Sequence, residues 1–413
     1  MRILIAAAGS RGDIAPYTGL GAALRAAGHE VALAATGTFE PLVRAAGLDF
    51  RALPGNTARS GGGSGDRREL MRAASEFIAD LGKGFADAMT DGTDLLLLST
   101  TTAPLGWHLA EATGTPAIGV YLQPTAPTGD FPPVVTGTRS LGRPGNRLAG
   151  RFALRMTDRL YAPAVTALRE QLGLPPAKPS DTRRRQERAD WPVLHGFSPA
   201  LVPRPADWRP GLQVVGNWWP HHDPEGQLPA EVADFLGAGA PPVLVGFGSM
   251  AVGEGERLSE LAVRALRRAK LRGILQAGSA GLAAEADDML TIGDIPHALL
   301  FPHLAAVVHH AGAGTSAAAL RAGVPAVTVP VTADQPFWAG RLAAIGAADE
   351  PIPFRTLTAD RLADALDRVV RQRAHREASA RAAERMAAED GAAEDGAAET
   401  LEAVRRLSGA SVR

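Results

Sequence analysis

Residues 309–341, HHAGAGTSAAALRAGVPAVTVPVTADQPFWAGR, concentrate the groups best suited to holding a ligand. An apolar strand runs into Gly312-Ala313-Gly314-Thr315 and then straight into an alanine-rich helix. Glycines at such a turn let the backbone approach a ligand closely. The free N–H groups and the dipole of the following helix attract an anion. His310, at the strand end, stands where it can donate to a phosphate oxygen, while its neighbour His309 reads as a core histidine. After the next strand come Asp334 and Gln335, a carboxylate and an amide suited to sugar hydroxyls, which both donate and accept. Spacing alone also allows Asp334 as the cap of a helix starting near Pro336. A diphosphate site beside a hydroxyl site is what a nucleotide sugar requires.

A second candidate lies at the other end of the chain, in Gly9-Ser10-Arg11-Gly12-Asp13. Asp13 can cap a helix or act as a general base. This turn lacks G-x-G-x-x-G, and the second strand ends Ala34-Ala35-Thr36 without a carboxylate for a ribose, so a nicotinamide enzyme is not expected. The phosphate-loop pattern GxxxxGK[ST] is absent. No metal site is expected. There is no Asp-x-Asp, the His309-His310 pair has no third ligand nearby, and His221-His222-Asp223 reads as a solvated loop in a linker. Arg183-Arg184-Arg185 reads as a solvated face. Trp107 and Phe131 are candidates to line an acceptor pocket or to fill a core. Trp218 and Trp219 read as hinge packing.

These groups need a scaffold, and the chain's texture supplies one. Its 413 residues allow two or three domains. Short apolar runs alternate with helical stretches, the pattern of βαβ units on a parallel sheet. Strands are expected at Arg2 to Ala7, GHEVALAAT, Asp94 to Ser99, Pro116 to Tyr121, 272–278 and 324–331, and a strand with its turn at 243–249 and at 305–315, with helices after the first turn and at 256–270 and 316–323. Prolines crowd residues 199–242, so the expected division is 1–215 and 216–413, two α/β domains facing across a cleft. The Gly/Ser-rich stretch 55–66 reads as a flexible loop or a lid, and 124–147 as a proline-rich loop. The repeat AAEDGAAEDGAAE at 387–399 reads as a solvated helix end, and ETLEAVRRL as a helix able to dock on a domain surface.

Composition narrows the class. A net charge of -1 gives no general electrostatic case for nucleic acid or an anionic membrane. With no cysteine, disulfides, thiolate catalysis and cysteine-ligated metals are excluded. No apolar run nears the roughly 18 residues of a membrane span. MRILIAAAGSRGD reads as a first buried strand rather than a signal peptide. A cytoplasmic location is expected, and oligomeric state is left open.

At this point HHAGAGT…AGVP…P…DQPFWAGR resembles the donor-binding signature of family 1 glycosyltransferases of the GT-B fold. GFGSM at 246–250 and GSRGDIAP at 9–16 are similar to the sterol-glucosyltransferase-like and glycopeptide-antibiotic branch, of bacterial natural-product type. The resemblance covers nearly the whole chain. It implies two Rossmann-like domains, acceptor-binding at 1–215 and donor-binding at 216–413. It implies contacts from Ser249, His310, Gly312, Gly314 and Thr315 to a diphosphate, and from Asp334 and Gln335 to the donor sugar. It implies Asp13 as the base of an inverting, metal-independent transfer from a UDP- or TDP-sugar, a co-substrate rather than a bound cofactor, to a hydroxyl of a hydrophobic small molecule. The family's plant members stack a Trp on uracil. Here IGDIPHALLFPHL at 292–304 has none, which leaves backbone contacts and Ile295 to meet the base. The competing expectations are a non-hydrolysing nucleotide-sugar epimerase and a non-catalytic sugar-nucleotide-binding helper.

Overall fold

Runs such as RILIA, LLLL and VLVG become strands because they are short, apolar and buried on both sheet faces. The computed structural model describes residues 1–55, 67–88, 92–135, 139–223, 225–248, 251–391 and 396–410. The first half runs β1 (Arg2–Ala6), α1 (Arg11–Ala26), β2 (Glu30–Thr36), α2 (Glu40–Ala45), β3 (Asp49–Leu53), α3 (Arg67–Gly84), β4 (Leu95–Leu98), α4 (Ala103–Thr113), β5 (Ala117–Tyr121), α5 (Gly142–Gln171), α6 (Pro179–Arg188), β6 (Val193–His195) and β7 (Leu212–Val214). The second runs α7 (Ala230–Gly237), β8 (Val243–Gly246), α8 (Gly255–Ala269), β9 (Gly273–Gln276), β10 (Met289–Ile292), α9 (His297–Leu300), β11 (Ala306–His309), α10 (Ala313–Arg321), β12 (Ala326–Thr328), α11 (Gln335–Ala344), α12 (Ala359–Arg371), α13 (Arg373–Gly391) and α14 (Gly396–Ala410). The stretch 55–66 lies outside the described residues from 56 onward.

Two parallel sheets result, ordered β3-β2-β1-β4-β5-β6-β7 and β10-β9-β8-β11-β12. In both, strand order reverses beside the first strand, between β1 and β4 and between β8 and β11. Such switch points open a crevice at the carboxyl ends of the strands, where doubly wound sheets take ligands. Alternation along each strand sorts side chains to the two faces. Ile3, Ile5, Leu95 and Leu97 join α1 and α14, whereas Leu4, Leu96 and Leu98 join α3, α4 and α5. Val243 and Val245 face α8 and α12, while Leu244 faces the α7 and α9 side.

Two helices start earlier than the sequence suggests. The first begins at Arg11, inside the stretch read as a turn, because Ser10 and Asp13 form a reciprocal capping box. Pro16 then sits within the helix at the cost of one backbone hydrogen bond. The helix α5 begins at Gly142, inside the expected loop 124–147. Pro144 falls in its first turn, where a missing N–H breaks no helical bond.

The chain leaves the first sheet at Val214 and later returns to it. The amphipathic C-terminal segment forms α14, which packs on α1, and Trp218 Nε1 donates to the Gly396 carbonyl at 2.8 Å. Its residue Val404 is fully buried among the apolar side chains of α1 and β1. Among the described residues no helix is long and apolar enough to cross a membrane. Replacing Val404 by Asp buries a carboxylate without a partner, at a cost on the order of 3 kcal/mol. The expected outcome is a lower melting temperature in calorimetry and faster proteolysis at residues 396–410; an unchanged melting curve would show that this docking adds nothing.

Candidate active site

The capping box places Asp13 at the carboxyl end of β1. Asp13 Oδ2 accepts from the backbone N–H and the hydroxyl of Ser10, both at 2.8 Å. Gly9 makes room for this, because a Cβ there would lie 2.5 Å from the same oxygen, and its φ of +144° suits glycine. Asp13 is thus not the N-cap weighed for it, a place Ser10 takes, but the third helical residue of the capping box; that role engages Oδ2 and leaves Oδ1 free of Ser10. Burial raises the carboxyl pKa of Asp13 above its ordinary value. The bonds from Ser10 oppose that, and the facing carboxylate of Asp334 reinforces it.

Asp334 reaches the same place from the second domain. It immediately precedes α11, yet its side chain caps nothing; Oδ2 accepts from Trp338 Nε1 at 2.8 Å. Burial raises its pKa too, against the Trp338 bond. Gln123, just past β5, sets its amide against both carboxylates while its Oε1 accepts from Thr100 at 3.2 Å. Sequence reading missed Gln123, Thr100 and Trp338. Their only signal was position: two follow strand ends, and Trp338 lies four residues from Asp334 on one helix.

Beside this pair lies an anion-shaped corner. Gly312 is the N-cap of α10 and has no side chain to satisfy the first-turn N–H groups, so the amides near Gly314 and Thr315 stay available. His310 is half-buried, with Nδ1 buried and without a partner. Burial lowers its pKa to about 4, so the ring is neutral at pH 7 and keeps one N–H to donate. A Cβ at Gly312 would come within 2.6 Å of His310 Nε2, which is why the position is glycine. Gly248, at the end of β8, faces the same ring. Its neighbour Ser249 lies outside the described residues. Ala311 and Ala333, flanking the two ligand-facing segments, both have left-handed backbone, at φ +61° and +57°. Non-glycine residues held there mark over-determined turns.

Other candidates are sorted by their surroundings. Gln335 is buried, and its Oε1 accepts from Val331 N–H at 2.8 Å and Thr332 N–H at 3.1 Å. It can therefore offer a ligand only its NH2 group, not the accepting half expected of it. Ile295 is half-buried in the loop between β10 and α9; next to it, Asp294 pairs with Arg11 of α1 at 2.6 Å across the cleft. Phe131 is buried edge-on against Phe337 of α11, three residues from Asp334. Trp107 is not brought to the cleft. It packs in the first core, 5.4 Å from Trp191, whose Nε1 donates to Ala117 at the start of β5, the end of the sheet away from Asp13. His309 is fully buried, as a core histidine should be. Trp218 packs on Tyr17, and Trp219 lies under the Arg321 guanidinium at 4.4 Å. Arg183, Arg184 and Arg185 pair with Asp158, Asp181 and Glu111, so the basic run is spent on ion pairs. Among the described residues no group of three or more His, Asp and Glu could hold a metal.

Comparison with known proteins adds to this geometry. Residues 3–84 match the glycosyltransferase family 28 N-terminal domain, and residues 274–403 match the erythromycin biosynthesis protein CIII-like C-terminal domain. O-mycaminosyltylonolide 6-deoxyallosyltransferase of Streptomyces fradiae is 39% identical over 386 residues, 88% of this chain and 88% of its own. A sterol 3-beta-glucosyltransferase of Arabidopsis thaliana is 32% identical over 397 residues, 89% of this chain and 60% of its own length. The crystal structure of the Streptomyces sp. SF2575 glycosyltransferase SsfS6, complexed with thymidine diphosphate, superimposes with a TM-score of 0.61 at 22% identity, covering 94% of this chain and 96% of that one.

The electrostatics make a testable statement. A carboxyl whose folded pKa is raised stabilises the fold at pH below its unfolded value near 3.8, and that contribution is lost as pH rises through the folded pKa. Asp13→Asn keeps an oxygen for the Ser10 bonds and removes the charge. The variant should melt at or above the wild-type temperature at pH 8, with the difference vanishing below about pH 4. A variant less stable than wild type at pH 8 would show that Asp13 is chiefly a structural cap.

Proposed function

Because this chain belongs to the GT-B glycosyltransferases, in the group that holds macrolide and sterol glycosyltransferases, we propose that its cleft transfers a sugar from a nucleoside-diphosphate donor to a hydroxyl of a hydrophobic small molecule, with Asp13 as the base. One observation carries the reading. Two half-buried carboxylates, one from each domain, meet at the carboxyl ends of both sheets beside an unpartnered His310 and the bare N-terminus of α10.

The chemistry follows from the placement. The acceptor hydroxyl attacks the anomeric carbon and loses its proton to Asp13, whose Oδ1 is not held by Ser10. Raised basicity suits that task, and a positioned base typically contributes about 10²–10⁴-fold. The diphosphate departs with growing negative charge toward the first-turn amides of α10 and the neutral His310 N–H, donors set in place beforehand. Asp334 accepts from donor-sugar hydroxyls and Gln335 donates to them through its NH2. Attack from the face opposite the leaving group inverts the anomeric carbon. Because the helix and His310 meet the diphosphate charge, we propose that no divalent cation is required. The thymidine diphosphate bound by SsfS6 supports a TDP-sugar over the UDP-sugar also proposed, and the macrolide and sterol substrates named for the two relatives support a polyketide- or sterol-like acceptor. Phe131 supports an apolar acceptor wall; Ile295 and the backbone of its loop stand near where the base would lie.

Asp13→Asn should lower kcat by about a hundredfold or more while leaving the Kd for the nucleoside diphosphate within about twofold, since the base acts only in the transition state. Full turnover by this variant removes Asp13 from the role. Asp334→Ala should raise the donor KM and leave affinity for the sugar-free diphosphate unchanged. Thermal-shift titration tests the donor site directly: TDP or UDP at about 100 times Kd stabilises by roughly 2.7 kcal/mol, and NAD does not. Binding that survives EDTA supports the cation-free reading; binding abolished by EDTA and restored by Mg²⁺ refutes it.

A further inference from the structure

The long helix α5 carries an unpartnered face. Among the described residues eight large apolar side chains are exposed, and five of them, Val135, Leu141, Leu148, Phe152 and Met156, fall within one short stretch. Leu148, Phe152 and Met156 recur every fourth residue, at 67%, 59% and 38% exposure, and so form one stripe along the helix. Beside them runs a second stripe of exposed side chains at the same spacing: Arg147, Arg151 and Arg155, preceded by Arg143 and followed by Arg159. Arg143 pairs with Asp130 and Arg147 with Asp207. Arg151 and Arg155 form no ion pair among the described residues. The opposite side of the helix is the buried one, through Gly150, Tyr161, Val165 and Leu168.

This face is held rigid. Asn146, fully buried, donates to the Gly129 carbonyl at 3.1 Å and accepts from Leu141 N–H at 2.9 Å. Asp207 accepts from Thr128, Gly129 and Arg147. The exposed apolar side chains therefore stand on an anchored platform, with little backbone entropy left to lose on docking. A contiguous apolar stripe of this kind marks an interaction surface.

We propose that this face of α5 docks the protein peripherally on an anionic lipid bilayer. Leu148, Phe152 and Met156 enter the headgroup boundary, the helix lies in the plane of the surface, and the flanking guanidinium groups meet lipid phosphates. Charge selects this occupant. The whole chain is nearly neutral, yet this stripe is cationic. A second copy meeting it antiparallel about a two-fold axis would set arginine row against arginine row. A straight basic and apolar helix face complements a flat anionic surface that is apolar just beneath. Docking here also sets the segment bearing Phe131, and with it the edge of the cleft, next to the membrane.

Vesicle flotation of the full chain tests this. Wild type should float with phosphatidylcholine vesicles containing about one-third phosphatidylglycerol, at least tenfold less with pure phosphatidylcholine, and less at high salt. Each arginine near such a surface strengthens binding about fivefold, so Arg151→Glu with Arg155→Glu should cut partition by tenfold or more. Leu148→Ser with Phe152→Ser should do the same. Both double variants replace exposed groups and should keep the wild-type melting temperature and turnover of a water-soluble acceptor. The proposal fails if wild type does not float or if the variants float equally well. It also fails if light scattering shows a dimer that Leu148→Ser with Phe152→Ser dissolves, which would assign the face to self-association.

Discussion

Two like charges confront each other where the domains meet, and much of the surrounding structure answers that constraint. Asp13 and Asp334 each lose hydration on burial, and the carboxylate of Asp334 adds to the cost of ionising Asp13. Hydrogen bonds from Ser10 to the one and Trp338 to the other partly offset this, and Gln123 stands against both. Packing supplies the rest of the clasp. Phe131 meets Phe337 at 5.3 Å, Phe197 meets Trp338 at 5.8 Å, and the Arg341 guanidinium donates twice to the Leu201 carbonyl. Each contact joins the first half of the chain to α11, the helix that Asp334 introduces. Repulsion at the centre is thus carried by apolar burial and neutral donors around it, as expected where a site trades stability for function.

At the corner formed by α10 and His310 the second domain contributes backbone and a neutral ring rather than charge. At α10 the residue that usually caps a helix is glycine, so amides remain for a ligand, and the neighbouring imidazole is held neutral by burial. A neutral donor and a helix dipole can hold a diphosphate and let it go, whereas a fixed cation would bind the product as strongly as the transition state. The left-handed Ala311 and Ala333 show that both turns are held in shape by their neighbours rather than by their own preferences.

The linker and C-terminus tie these parts together. Trp218 bonds to the start of α14, Trp219 lies beneath Arg321 of α10, and His221 N–H donates to Thr18 in α1 at 3.0 Å. The proline-rich connection therefore touches the helix of each domain that opens on the cleft, so a relative movement of the domains has to pass through it.

Much of this was legible in the residues themselves. Strand and helix texture, two sheets, the turn before α10 and the candidates His310 and Asp334 rest on local periodicity and spacing, which the chain carries without its fold; Asp13 stood out as a base through the family resemblance. α1 and α5 start earlier than the residues suggest because a glycine-containing turn and a proline-rich tract read as loops; a capping box starts the one, and a first-turn position admits Pro144 in the other. What only the tertiary structure decided is what lies against what. Gln335 spends its oxygen on its own turn, Trp107 belongs to the core beside Trp191, and Gln123 stands by both carboxylates though its sequence neighbours say nothing of either. Asp13 and Asp334 lie more than three hundred residues apart, and no local pattern can bring them together. Periodicity is a property of neighbours along the chain, whereas burial, charge repulsion and the satisfaction of a polar group belong to neighbours in space.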